Sequence, residues 1–100
     1  MDGLVLKKMR SAVNAGYLYL TLHANKELKA DGLEFEDVAH CILTGEIIEQ
    51  QSDLDHGEDK YVIYGDSRQG NEMAAVAKLG YNDAAIIITV YRLRIDDYDL

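Results

Sequence analysis

The sequence has no proline, no tryptophan and a single cysteine in 100 residues. One cysteine excludes an intrachain disulfide framework. Without proline, an edge strand lacks one common protection against pairing with another chain. Basic residues are scarce: ten stand against eighteen acidic ones, for a formal net charge of −8. That balance argues against a general nucleic-acid coat protein, whose affinity rests on Lys and Arg at phosphates. Long apolar runs are missing as well. The longest, Ala84 to Tyr91, falls far short of the roughly 20 residues that a membrane-spanning helix needs. Lys7, Lys8 and Arg10 precede the partly apolar stretch Ala12 to Leu22 and imitate an export signal, but Asn14, Thr21 and His23 interrupt it. A lone thiol and no export signal make the cytoplasm the expected compartment.

What is present describes one small domain with one core: 48% of the residues are hydrophobic and 28% are charged. The charge is uneven. Residues 1–34 carry +1, residues 35–60 carry −7 and residues 61–100 carry −2. The densest acidity, Asp53 to Asp59, reads as a solvated loop between strands, because Gln50 to Asp53 and His56-Gly57 are turn chemistry. As a functional feature it would suit a basic partner or a hard cation.

Local signals divide the chain into helices first and strands afterwards. Asp2 can cap a first helix and Gly16 can end it, with Val5, Met9, Ala12 and Val13 on one face. Tyr17 to Thr21 reads as a short strand or an extended lead-in. A second helix covers roughly Leu22 to Ala30 and stops at Asp31-Gly32. A third runs from Glu34 or Phe35 to Leu43, with Phe35, Val38, Ala39 and Ile42 as its apolar stripe and Cys41 as a small buried residue. Glu36 and Asp37 suit its positive N-terminal end, and Gly45 caps it. After Gly45 the period changes to two. Strands are expected at Glu46 to Gln50, Tyr61 to Gly65, Ala74 to Leu79 and Ala85 to Leu93. Short connections favour antiparallel pairing, and Ile86 to Val90, apolar on both faces, should be central. The expected fold is α+β, with N-terminal helices packed on one face of a four-stranded, mainly antiparallel sheet.

An ordered set of short motifs adds a resemblance. Leu20-Thr21-Leu22-His23-Ala24, Ala30-Asp31-Gly32-Leu33, Asp37-Val38 and Gly45-Glu46-Ile47-Ile48-Glu49 come one after another at close spacing. Lys60 to Gly65 and Ile87-Ile88-Thr89-Val90-Tyr91 complete the set. Together they resemble domain of unknown function 4258, a family grouped with RelE- and ParE-like toxins and barnase- or colicin-like ribonucleases. The resemblance covers residues 17–92, leaving the helix of residues 1–16 outside it and an acidic tail at residues 93–100. It implies a RelE-like fold and a link to RNA cleavage or to toxin–antitoxin pairs. Many relatives carry Arg where this chain has Glu27, His where it has Ala74, and an acidic residue with proline where it has Arg92-Leu93.

Six residues are candidates for chemistry. His23, in the first turn of the second helix, could serve as a general base towards a ribose hydroxyl. Glu27 lies one turn further on the same face and could orient it. Tyr91 could offer a phenol or a stacking surface. Arg68, Arg92 and Arg94 could contact an anion or RNA, the last two joining Lys7, Lys8 and Arg10 in a basic patch if the first helix packs nearby. The plainer alternatives are a locally bonded His23, a Tyr91 packed on the sheet and ordinary surface charges. His23, His40 and His56 lack zinc-motif spacing, and there is no glycine-rich phosphate loop and no nucleophile elbow, so neither a metal nor a cofactor is expected. The leading expectation is a protein that contacts another macromolecule, by preference a protein partner, through a scaffold that has lost part of a ribonuclease-type site. The alternatives are a metal-independent ribonuclease using His23 and Glu27, and a homo-oligomeric structural module such as a homodimer.

Overall fold

A computed structural model of the chain describes residues 3–53, 55 and 57–93. The Asp2 cap, His56, Arg94 and the acidic tail beyond Leu93 lie outside the described residues.

Helix α1 spans Gly3–Ala15, and Val5, Met9 and Ala12 bury at helical spacing. Gly16 ends it at φ +87°, a left-handed conformation that glycine adopts without a Cβ penalty. Strand β1 is only Leu18–Leu20. Thr21 then opens α2 (Leu22–Ala30), its hydroxyl oxygen accepting the Ala24 N–H at 3.1 Å. Helix α3 (Phe35–Thr44) starts with a reciprocal box between Glu34 and Asp37. The strands β2 (Glu46–Asp53), β3 (Glu58–Asp66) and β4 (Glu72–Leu79) come next. A 3₁₀ turn at Tyr81–Asp83 leads into β5 (Ala85–Arg92).

The sheet has five strands, in the order β1–β5–β4–β3–β2, not the expected four. It is mixed, because β1 runs parallel to β5, with Leu18 opposite Ala85 and Leu20 opposite Ile87. Three residues are too few to display a strand period, and their partner lies near the other end of the chain. The pairing is therefore invisible to local pattern. Strand β5 is interior, between β1 and β4, while β4 is the middle strand. The hairpin of β2 and β3 is longer than the sequence suggests. It pairs from Glu46 opposite Tyr64 to Asp53 opposite Glu58, so much of the acidic segment is strand and not loop.

Helices α1, α2 and α3 bury one face of the sheet in a core that includes Met9, Val38, Ile42, Ile63, Met73, Ile87 and Val90. The stripe of α3 differs from expectation at its start: Phe35 is exposed and Asp37 is buried. The first turn of α3 faces the loop after β3, and Arg68 of that loop brings Asp37 two hydrogen-bond donors. At the other end of α3, Arg10 reaches across from α1 and donates to the carbonyl oxygens of Ile42 at 3.0 Å and Gly45 at 2.7 Å. A cation there meets the negative end of the helix.

A bulge in β5 decides which face each later residue of the strand takes. Ala77 pairs with Ile87 and Val76 with Thr89, so Ile88 is an extra residue. One extra residue reverses the alternation from that point onward. Ala85, Ile87 and Val90 therefore face the helices, whereas Thr89 and Tyr91 face away. No described element covers that other face.

Candidate functional site

Strand β1 ends at Leu20 while β5 continues, which leaves the outer edge of β5 without a strand partner beyond Ile87. A bare row of backbone donors is costly unless satisfied. Helix α2 and its two cap residues, Thr21 and Asp31, supply partners. The Thr21 hydroxyl donates to the Ile88 carbonyl oxygen at 3.3 Å. The Glu27 carboxylate accepts the Val90 N–H at 3.2 Å, and the Asp31 carboxylate accepts the Arg92 N–H at 2.9 Å. The spacing has a geometric origin: four helical residues rise about 6 Å and two strand residues about 6.6 Å, so carboxylates one turn apart match alternate strand amides. An arginine at position 27 has no acceptor to offer Val90. Glu27 thus has a structural use in this chain.

Glu27 also holds His23, whose Nε2 lies 3.2 Å from the same carboxylate oxygen. The structure therefore brings two of the candidate residues together, on an exposed turn of α2. Tyr91 does not join them. It lies in register with Ala74 on the face turned away from the helices, because of the Ile88 bulge. There Ala74 is buried between its two register partners, Tyr64 and Tyr91. The Tyr64 phenol is held above its ordinary pKa by a hydrogen bond to Glu72, by desolvation and by the charges of Glu72 and Asp66.

The described candidate arginines, Arg68 and Arg92, are engaged internally. Arg68 Nε donates to Asp37 Oδ1 at 3.0 Å, its backbone N–H donates to the same oxygen at 3.1 Å, and Glu34 lies 3.7 Å from its guanidinium. Asp37 completes its set with the Glu34 N–H at 2.8 Å. Arg92 donates to the Asn71 side-chain oxygen at 3.1 Å. Lys8 lies 3.7 Å from Asp83, just before β5 begins, whereas Arg92 stands at its far end. Lys8 and Arg92 thus stand at opposite ends of β5, and Arg10 is turned to the carbonyls at the end of α3. Sequence reading missed Asp31 and undervalued Asp37. The available signals were Glu34-x-x-Asp37 at capping-box spacing and Asp31 one helical turn after Glu27.

Cys41 is inaccessible, with its Sγ 4.0 Å from the Ile63 carbonyl oxygen. Burial, with a smaller contribution from the charge of Asp66, pushes its pKa up to about 12. The thiolate is the reactive form. Iodoacetamide at about pH 8 is therefore expected to leave Cys41 unmodified in the folded protein and to alkylate it readily in urea. Mass spectrometry checks this, and fast native labelling would contradict the burial.

The described residues contain no group of three or more His, Cys, Asp or Glu that could hold a metal ion. No helix among them is long and apolar enough to cross a membrane. Comparison with known families finds a match, described as "Domain of unknown function (DUF4258)", over residues 20–92. No curated protein and no solved structure matches the chain.

Proposed function

We propose that this chain, which belongs to the domain of unknown function 4258 family, works by binding a basic protein partner on the uncovered face of its sheet. The observation that carries the reading is the composition of that face. Its centre is apolar and aromatic, with Val62, Val76, Tyr64 and Tyr91 around Ala74. Its rim is acidic, with Glu46, Glu49, Asp66 and Glu72. Two lysines share the face: Lys60, opposite Gln51, and Lys78, paired with Glu58 at 3.1 Å, so acidic groups outnumber basic ones around it. An apolar centre inside a polar rim is the usual anatomy of a protein interface, and a rim weighted to one charge sign favours the opposite sign.

On this reading the scaffold is RelE-like and descends from a ribonuclease whose site is partly lost. Support comes from Glu27, whose carboxylate serves the β5 edge, and from Ala74, which offers no proton donor. A second reading rests on the His23–Glu27 contact: metal-independent RNA cleavage with His23 as base. Self-association through the outer edge of β2, unpaired by any described strand, is a third, and light scattering distinguishes it.

Purified protein incubated with structured and single-stranded RNA in EDTA is expected to leave the RNA intact. Cleavage that disappears in His23→Ala would overturn the binding reading in favour of the second. In parallel, the combined variant Glu46→Lys, Glu49→Lys and Glu72→Lys, checked for folding by circular dichroism, is expected to lose salt-sensitive capture of partners from extract of the source cells. Undiminished capture by that variant would remove the acidic rim from the interface.

A further inference from the structure

The corner where α1, the Tyr17–Tyr19 segment and the turn before β5 meet is built unlike the rest of the surface. Two adjoining cavities of about 360 and 410 Å³ share Tyr17 and Asn82 as walls. Each is within the range of small-ligand sites. One is lined by Tyr17, Tyr19, Tyr81 and Ile86. The other is lined by Lys7, Lys8, Ser11 and Asp83.

Three of the chain's seven tyrosines stand here with much of their surface in water: 57% for Tyr17, 49% for Tyr19 and 89% for Tyr81. Exposed aromatic clusters of this kind mark recognition surfaces, because the rings offer flat apolar area that the fold itself does not use. The turn that carries Tyr81 is held in an uncommon shape. Asn82 and Asp83 both take positive φ, 56° and 61°, a region that side-chain-bearing residues enter at a cost and that recurs at ligand-binding segments. Its backbone closes through the Gly80 N–H to the Ala84 carbonyl at 2.7 Å. Lys8 ties it to α1 through Asp83.

Charge chooses the ligand. In a chain of net charge −8, this corner is locally basic. Lys7 has no ion-pair partner among the described residues, and Lys8 is shared with Asp83. A cationic ligand would find lysines beside the tyrosines and a single carboxylate that is already paired. An anionic ligand with a flat ring finds stacking surfaces and a free ammonium in adjoining cavities. We propose that this corner binds a free nucleotide, with its base against Tyr17, Tyr19 and Tyr81 and its phosphate at Lys7 and Lys8. The site shares none of the rim charges on which partner docking is argued, so the two readings fail independently.

The test titrates adenosine 5′-monophosphate, adenosine and inorganic phosphate separately into ¹⁵N-labelled full-length protein, monitored by NMR. The nucleotide is expected to give saturable shifts confined to residues near 4–19 and 80–86. Adenosine should bind several-fold more weakly, and phosphate alone more weakly still. Tyr81→Ala removes an almost wholly exposed side chain and leaves folding intact. It is expected to weaken both the nucleotide and adenosine about tenfold, the scale of one lost stacking contact. Lys7→Ala is expected to weaken the nucleotide severalfold and to leave adenosine unchanged. Absence of saturable shifts, shifts elsewhere in the protein, or nucleotide affinity indifferent to both substitutions would overturn the proposal.

Discussion

Asp37→Ala is expected to lower the unfolding free energy by about 3 kcal/mol, in the range for removing a buried charged acceptor and leaving its partners unpaired. The carboxylate is buried and accepts three hydrogen bonds, from the Glu34 N–H, the Arg68 N–H and Arg68 Nε. It therefore joins the start of α3 to the loop between β3 and β4. In the same loop buried Ser67 accepts the Gln69 and Asn71 N–H groups, so losing Asp37 loosens a packed turn as well as a cap. Urea denaturation monitored by circular dichroism measures the change. A loss under about 1 kcal/mol, the scale of a solvent-exposed cap, would show that the Arg68 contacts add nothing.

The same residue gives a pH dependence of fixed sign. Burial acts to raise the Asp37 pKa, but hydrogen bonds from Glu34 and Arg68, with the Arg68 charge, outweigh it and hold the group below its ordinary value of 3.8. The folded state then binds that proton less readily than the unfolded state. The stabilisation is fully present above the ordinary carboxylate range and is lost as pH falls through the lower folded value. The stability gap between wild type and Asp37→Asn should stay constant above about pH 5 and shrink below about pH 4. A gap that widens on acidification would reverse the assignment.

Much of the fold was readable from local chemistry. Thr21 as a cap, Gly16 as a stop and the change of period after Gly45 each act within a few residues of where they stand. What escaped depends on distant partners. Strand β1 exists because β5 lies beside it, and Asp37 is buried because Arg68 arrives from the other end of a hairpin. Arg10 sits on the polar side of α1 by sequence, yet it ends at the carbonyls of α3. The candidate site divides in the same way. The His23–Glu27 contact is an i,i+4 pair on one helix and was legible. Tyr91 was not. Strict alternation from Ile87 would place it on the helix side, near α2. The extra residue at Ile88 turns it to the opposite face, and nothing in Ile86-Ile87-Ile88 distinguishes which residue bulges.

Gly45→Ala is expected to be at least as damaging, costing about 3 kcal/mol or more, and the reason is not the one a helix-capping glycine suggests. Gly45 has φ −89° and ψ −163°, which any residue can adopt. Its constraint is space. A Cβ built there would lie 2.5 Å from the Cys41 carbonyl oxygen and closer still to that of Tyr64, and both are backbone atoms. Flexible side chains can yield to an added methyl; here the end of α3 would have to move off β3. That movement would also break the Arg10 contact to the Gly45 carbonyl and the pairing of Glu46 with Tyr64. Gly65, on the β3 side of the same crossing, would meet Cys41 and Gly45 at 3.1 Å, so Gly65→Ala should cost less than Gly45→Ala but more than a surface change. Gly32→Ala is the control for conformation alone. Its φ is +68° with open space around the position, and its expected cost is about 1–2 kcal/mol of left-handed strain. Overpacking typically costs about 1–3 kcal/mol, and the upper end is expected where the clash is with backbone that cannot rotate away. Thermal and urea unfolding of the three variants should rank them Gly45, Gly65, Gly32 in decreasing loss. If Gly45→Ala proved no worse than Gly32→Ala, the close approach of α3 to β3 would have to be abandoned, and the placement of Cys41 beneath it reconsidered.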